Sequence, residues 1–209
     1  MRQLIAALAV ALLACQAAAA APSAPPQPEQ LVMKPYPGPP AWKRITDKNG
    51  PQGFYHEQIP ANQTVAKFTD ILTDQDFPNL AGFDPVAYLK TVFGGIPNAC
   101  SGARVAGPQA QSEGGYRIAY GQVRCGRQNG QAYGVHIFYK VISGTGALYV
   151  VSREFHVPAS DNGDLLSFPR GHQAQATALL NAEAAADKYL SSDVFACGGP
   201  STDARCASR

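Results

Sequence analysis

YRIAYGQVRCGRQNGQAYGVHIFYKVISGTGALYVVSREFHVP, residues 116–158, is the stretch that decides the fold. Tyr116, Ile118 and Tyr120 alternate with Arg117 and Ala119, the period of a strand with one covered face. The alternation slips near Gly121, which predicts a bulge there. Tyr133 to Ile142 is apolar on both faces, at Val135, Ile137, Phe138, Val141 and Ile142, and reads as a long central strand. Gly144-Thr145-Gly146 is a turn, and Ala147 to Val157 is a third strand ended by Pro158. Three strands joined this way predict an antiparallel meander.

Upstream, Trp42, Arg44 and Thr46 alternate with Lys43, Ile45 and Asp47. A turn at Asn49-Gly50 and a second strand, Phe54 to Ile59 before Pro60, make an N-terminal hairpin. Val65, Phe68, Ile71 and Leu72 fall on one helical face, with Asn62 or Thr64 as a cap, and predict a helix. Asp84-Pro85 is a second helix start, since a carboxylate caps the free N–H groups and proline suits the first turn. Val86, Leu89, Val92 and Phe93 form its stripe, and Gly94-Gly95 ends it. An Ala-rich run from about His172 to Phe195 predicts a third helix, with Leu179, Leu180, Ala186, Tyr189, Leu190 and Val194 as its packing face over the meander.

The sum is one α+β domain, residues 42–209, with an antiparallel sheet and about three helices. Its order, β-β-α-α-β-β-β-α, resembles that of the Mog1/PsbP-like sandwiches in element order alone.

The start of the chain bears on its compartment. Met1-Arg2-Gln3, an apolar run from Leu4 to Ala14 and small residues up to Ala20 form a secretory signal, residues 1–20. The run is about half of the roughly 20 residues a spanning helix needs. Leu12-Leu13-Ala14-Cys15 looks like a lipobox, in which case the signal is 1–14 and Cys15 carries acyl chains that anchor the protein in one leaflet. The other reading is cleavage after Ala20, with Cys15 discarded. Residues 21–41, rich in Ala and Pro, read as an extended linker.

Five cysteines are encoded. Without Cys15, four remain, and the favoured pairs are Cys100–Cys125, flanking a strand-like segment, and Cys197–Cys206, enclosing Gly198-Gly199-Pro200. Metal binding is the alternative, but no C-x-x-C occurs and an oxidising compartment favours disulfides. A net charge of +2 with no Lys/Arg cluster argues against a nucleic-acid surface. Asn62-Gln63-Thr64 has the glycosylation pattern, read here as coincidence.

No catalytic motif stands out. His56, His136 and His156 lie in strand patterns and His172 near a helix start, with no zinc spacing among them. Ser143-Gly144-Thr145-Gly146 is a hairpin turn rather than a nucleophile elbow. Asp161-Asn162-Gly163-Asp164 lacks a complete calcium loop and reads as a turn. Asp70, Asp74 and Asp76 read as solvated charges at a helix end. No phosphate loop, cofactor motif or metal site is expected. Tyr116, Tyr120, Tyr133, Tyr139 and Tyr149, with Arg117 and Arg153 (and Arg124 and Arg127 nearby), are the candidate binding residues, because tyrosine and arginine carry an apolar body with a polar end.

The expectation is an exported, periplasmic envelope protein, which the lipobox reading anchors to the outer membrane by a lipid on Cys15. Its role would be non-enzymatic, binding an unknown envelope protein or a small ligand. An exported hydrolase assembled from scattered His and Asp residues, and a structural subunit of a secretion assembly, are the alternatives.

Overall fold

The computed structural model describes residues 27–36, 41–160, 168 and 171–207. The signal segment, Cys15, residues 21–26 and 37–40 of the expected linker and the Asp161-Asn162-Gly163-Asp164 loop lie outside the described residues.

Eleven strands and two α-helices make up the described chain, in the order β1 Gln30–Met33, β2 Trp42–Gly50, β3 Gly53–Pro60, β4 Asp70–Phe77, α1 Pro85–Ala99, β5 Cys100–Ser101, β6 Arg104–Glu113, β7 Tyr116–Cys125, β8 Arg127–Gln128, β9 Tyr133–Ser143, β10 Leu148–Pro158, α2 Gln173–Ser192 and β11 Val194–Cys197. Seven strands form one antiparallel sheet, β2-β3-β4-β10-β9-β7-β6. The expected meander is its centre, β7-β9-β10, and the expected hairpin is β2-β3. That hairpin turns at Pro51-Gln52, so the strand continues through Asn49-Gly50.

The first expected helix is a strand. Residues 70–77 form β4, between β3 and β10. Ile71 and Leu72 are both buried, which adjacent residues achieve in a strand covered on both faces. Asp70, Thr73 and Asp74 are poor helix formers, which weakens the helix, and pairing with β3 and β10 decides for the strand. Val65, placed on the expected helical face, is exposed. There are thus two α-helices among the described residues, not three.

α1 begins as expected, with Asp84 accepting a hydrogen bond from the Ala87 N–H at 2.9 Å. It does not stop at Gly94-Gly95 but runs to Ala99, with Pro97 in its last turn. Ile96 packs partly against the core beneath, and Cys100 at its end is tied to Cys125, so packing carries the helix through two glycines. The C-terminal helix ends at Ser192, and Val194 onward is strand β11, paired antiparallel with β1. Gln30–Met33, where the prolines pause, therefore forms an element within the 21–41 stretch.

The bulge lies opposite Gly121, on β6, where the register shifts between Ala106 and Gln109. β7 itself pairs continuously with β9 through Gly121. Both disulfides form as expected, Cys100–Cys125 and Cys197–Cys206.

Two cores result. On one sheet face α1 lays Leu89 and Phe93 on Ala119, Val123, Val141 and Val150. On the other, α2 lays Ala186, Tyr189 and Leu190 on Phe138, Val151 and Phe155, and the β1–β11 ribbon covers Tyr116, Ile118, Ile142 and Tyr149 with Leu31 and Ala196.

The Phe93 ring lies against β7 at Gly121, where an added Cβ would sit 2.5 Å from it. Gly121→Ala is expected to destabilise the domain by about 1–3 kcal/mol through overpacking. Gly95, inside α1, has open space around a Cβ, and Gly95→Ala is expected to stabilise by up to about 1 kcal/mol through helix propensity. Chemical denaturation of both variants checks the pair; equal effects would contradict this packing.

Candidate functional site

The face beneath α2 and the ribbon is unusually charged for a covered surface. Asp70, Asp74 and Asp76 lie at alternating positions of β4 and share that face, so they are not helix-end charges. Arg153 on β10 and His136 and Lys140 on β9 share it too. Asp74, Arg153, His136 and Lys140 are buried, Lys140 completely.

Two of these side chains hold the cover in place. His136 Nδ1 lies 2.6 Å from Glu183 Oε1 of α2, with both side chains buried. Lys140 Nζ donates to Glu113 Oε2 and to the Val194 carbonyl, each at 2.6 Å. Burial pulls the Lys140 pKa down, while the Glu113 carboxylate opposes that shift. Arg205 pairs with Glu113 and Asp203, donates to the Ser192 carbonyl at 2.7 Å and covers the Phe195 ring. Neither His136 nor Lys140 borders a cavity described below.

The third charge leads to an opening. Arg153 packs against two rings that meet edge-on, its guanidinium 3.9 Å from the Trp42 centroid and 4.4 Å from that of Tyr36. Its Nη2 lies 2.8 Å from Asp70 Oδ1, an ion pair without hydrogen-bond alignment, since that oxygen and Arg153 Nε and Nη1 have no hydrogen-bond partner among the described residues. Burial pushes the Asp70 carboxyl up to about 6, against the pull of Arg153 and His156. The same Trp42 and Tyr36 rings wall a cleft of about 820 Å³ between β1, the β2–β3–β4 strands and the end of α2. That is within the usual range for ligand pockets, roughly 300–1,000 Å³.

The cleft walls are mostly apolar: Leu31, Met33, Leu72, Phe54 and Tyr189 join the two rings already named. Polar groups are few. His56 donates from Nδ1 to Asp74 Oδ2 at 2.8 Å, while its Nε2 lies 3.2 Å from both Asn49 Oδ1 and Asp47 Oδ1. Asp74 Oδ1 has no partner among the described residues. Lys34 and Arg44, on the rim, are paired with Asp193 at 3.1 Å and Asp47 at 3.0 Å.

Both His56 nitrogens are engaged, and no serine, threonine or cysteine is among the described residues lining the cleft. Among the described residues no group of three or more His, Cys, Asp or Glu side chains could hold a metal ion.

The tyrosines and arginines singled out from the sequence are divided between the two faces. Tyr116, Tyr120, Tyr149 and Arg153 lie under α2 and the ribbon. Tyr116 donates to the Gly198 carbonyl at 2.6 Å, Tyr149 to Glu29 at 3.2 Å and Tyr120 to Glu113 at 3.3 Å. On the other face Tyr139 meets Phe93 edge-on, Tyr133 stacks on His156, and Arg117 reaches the Gly82 carbonyl. Arg124 pairs in register with His136, and Arg127 is exposed in β8. None of these lines the cleft; Arg153 packs behind it, against the Trp42 and Tyr36 rings. Trp42, Tyr36, His56 and Asp74 carry it instead.

No family model matches the chain, and no curated protein matches it. Among solved structures it is similar to one described as the crystal structure of LpqN, involved in cell envelope biogenesis of Mycobacterium tuberculosis. The two share 16% identity over 85% of this chain and 87% of that chain, with a TM-score of 0.37. No helix among the described residues is long and apolar enough to cross a membrane.

Asp70 sets a pH dependence. Its folded pKa, about 6, lies above the ordinary carboxylate value, so the native state binds the proton more tightly than the unfolded chain. The contribution is greatest below the unfolded pKa and is lost as pH rises through about 6. Wild type is expected to gain about 1 kcal/mol relative to Asp70→Asn between pH 8 and pH 5. Urea midpoints of both proteins at the two pH values measure it, and a difference that is flat with pH would refute it.

Proposed function

We propose that this chain is an exported, non-enzymatic binding protein of the cell envelope, and that it holds a small ligand with an apolar body in the cleft walled by Tyr36, Trp42, Phe54 and Tyr189. The leader-like start and the two disulfides support export, because such bonds persist in oxidising compartments. A lipid on Cys15 would tether it to the outer membrane, with the proline-rich segment as a spacer.

The observation that carries the binding reading is the cleft itself. Aromatic walls with a few inward polar groups are the general make-up of a small-molecule site. The hydrolase alternative would need a free base beside a nucleophile. His56 is held at both nitrogens, and His136 is sealed against Glu183.

The chain has a single tryptophan, and it stands in the cleft wall, so its fluorescence reports on occupancy. The neutral apolar dye nile red is expected to bind saturably at one site, quench Trp42 by energy transfer, and bind at least several-fold more weakly to Tyr36→Ala. Dye binding that leaves Trp42 emission unchanged, or that Tyr36→Ala does not weaken, would place the ligand elsewhere.

A further inference from the structure

We propose that the ligand presents an ammonium group to Asp74 at the floor of this cleft, with its apolar body against the aromatic walls. The inference rests on the binding reading above and deepens it.

The argument starts from what each charge around the cleft already has. Of the cations that line the cleft, Lys34 is paired with Asp193 and Arg44 with Asp47. Arg153, ion-paired with Asp70 but with Nε and Nη1 lacking a hydrogen-bond partner among the described residues, lies behind the Trp42 and Tyr36 rings and is not itself a lining residue. Asp74 is only 6% exposed and has one partner, His56, on Oδ2. Its second oxygen is buried, accepts from nothing among the described residues, and belongs to a side chain that lines the cleft. A buried carboxylate oxygen without a donor has lost its water at a cost of a few kcal/mol. A carboxylate can only accept, so the complementary ligand group is a donor, and a charged donor makes the stronger bond.

The surrounding rings point the same way. Aromatic faces attract cations through the ring quadrupole. Trp42 and Tyr36 already do so within this chain, since both pack against the Arg153 guanidinium. Two further rings, Phe54 and Tyr189, line the same cavity. With the rim cations Lys34 and Arg44 already paired, a carboxylate set among aromatic walls favours a cationic head over an anionic one.

Three probes of nearly equal shape separate the possibilities: phenethylamine, phenethyl alcohol and hydrocinnamate, each titrated against Trp42 fluorescence at neutral pH. The expected order is amine, then alcohol, then carboxylate, with the amine at least tenfold tighter than the alcohol. Asp74→Asn is expected to remove that preference while leaving the alcohol within about threefold. The wild-type order needs no variant, so it decides the matter even if Asp74→Asn fails to fold. Alcohol or carboxylate binding as tightly as the amine would overturn the ammonium assignment and leave the cleft reading intact. No saturable signal from any of the three would overturn both.

Discussion

A sheet face that buries Lys140, His136 and Arg153 cannot be covered by just any apolar surface. Each charge must meet a partner at hydrogen-bond range, because a lone buried charge costs several kcal/mol. Each partner arrives on a different element. Glu183 comes from the middle of α2, Glu113 from β6, the Val194 carbonyl from the start of β11, and Asp70 from β4 beneath the Tyr36 and Trp42 rings. The apolar contacts of Tyr189, Leu190 and Phe138 supply area, but they tolerate sliding. The ion pairs do not, and they set where α2 and the two terminal segments lie. Removing one member of such a pair typically costs about 3–5 kcal/mol.

The opposite face works without this constraint. There α1 meets the sheet through Leu89 and Phe93, and closeness comes from Gly121. The cleft exists because the two coverings stop short of the outer strands. α2 reaches only as far as Tyr189, so β2, β3 and β4 are left to the rings of Tyr36 and Trp42 and the few residues of β1.

The meander and the hairpin were legible because their strands bury one or both faces and carry the period in their residues. What escaped the sequence had physical reasons. β6 is an edge strand, largely exposed and interrupted by Gly107-Pro108, so RVAGPQAQSE carries no apolar alternation. β1 and β11 are four residues each, too short to show a period. β4 has apolar neighbours, Ile71 and Leu72, that point to opposite faces, and the same letters at helical spacing suggested a helix. That one misreading hid the candidate site. Asp74 and His56 are eighteen residues apart and become partners only when β3 and β4 are adjacent strands. The tyrosine-rich meander drew attention instead, although strand tyrosines here mostly serve the two cores.

Glu29 has a consequence for how the domain bears load. Its carboxylate accepts from the Thr145 and Gly146 N–H groups and the Thr145 hydroxyl, at 2.8 to 3.0 Å, on the turn between β9 and β10. Burial works to raise its pKa, but these donors outweigh that, so it stays below the usual value and remains an anion. Next to it, Gln30 pairs with Cys197, whose sulfur is bonded to Cys206, and the Gln27 carbonyl accepts from Gly199. A pull along the chain from its N-terminal side thus meets a riveted point before it can peel β1 from β11. Tension is passed first into the turn between β9 and β10, at the centre of the sheet, ahead of the cleft-lining residues of β1.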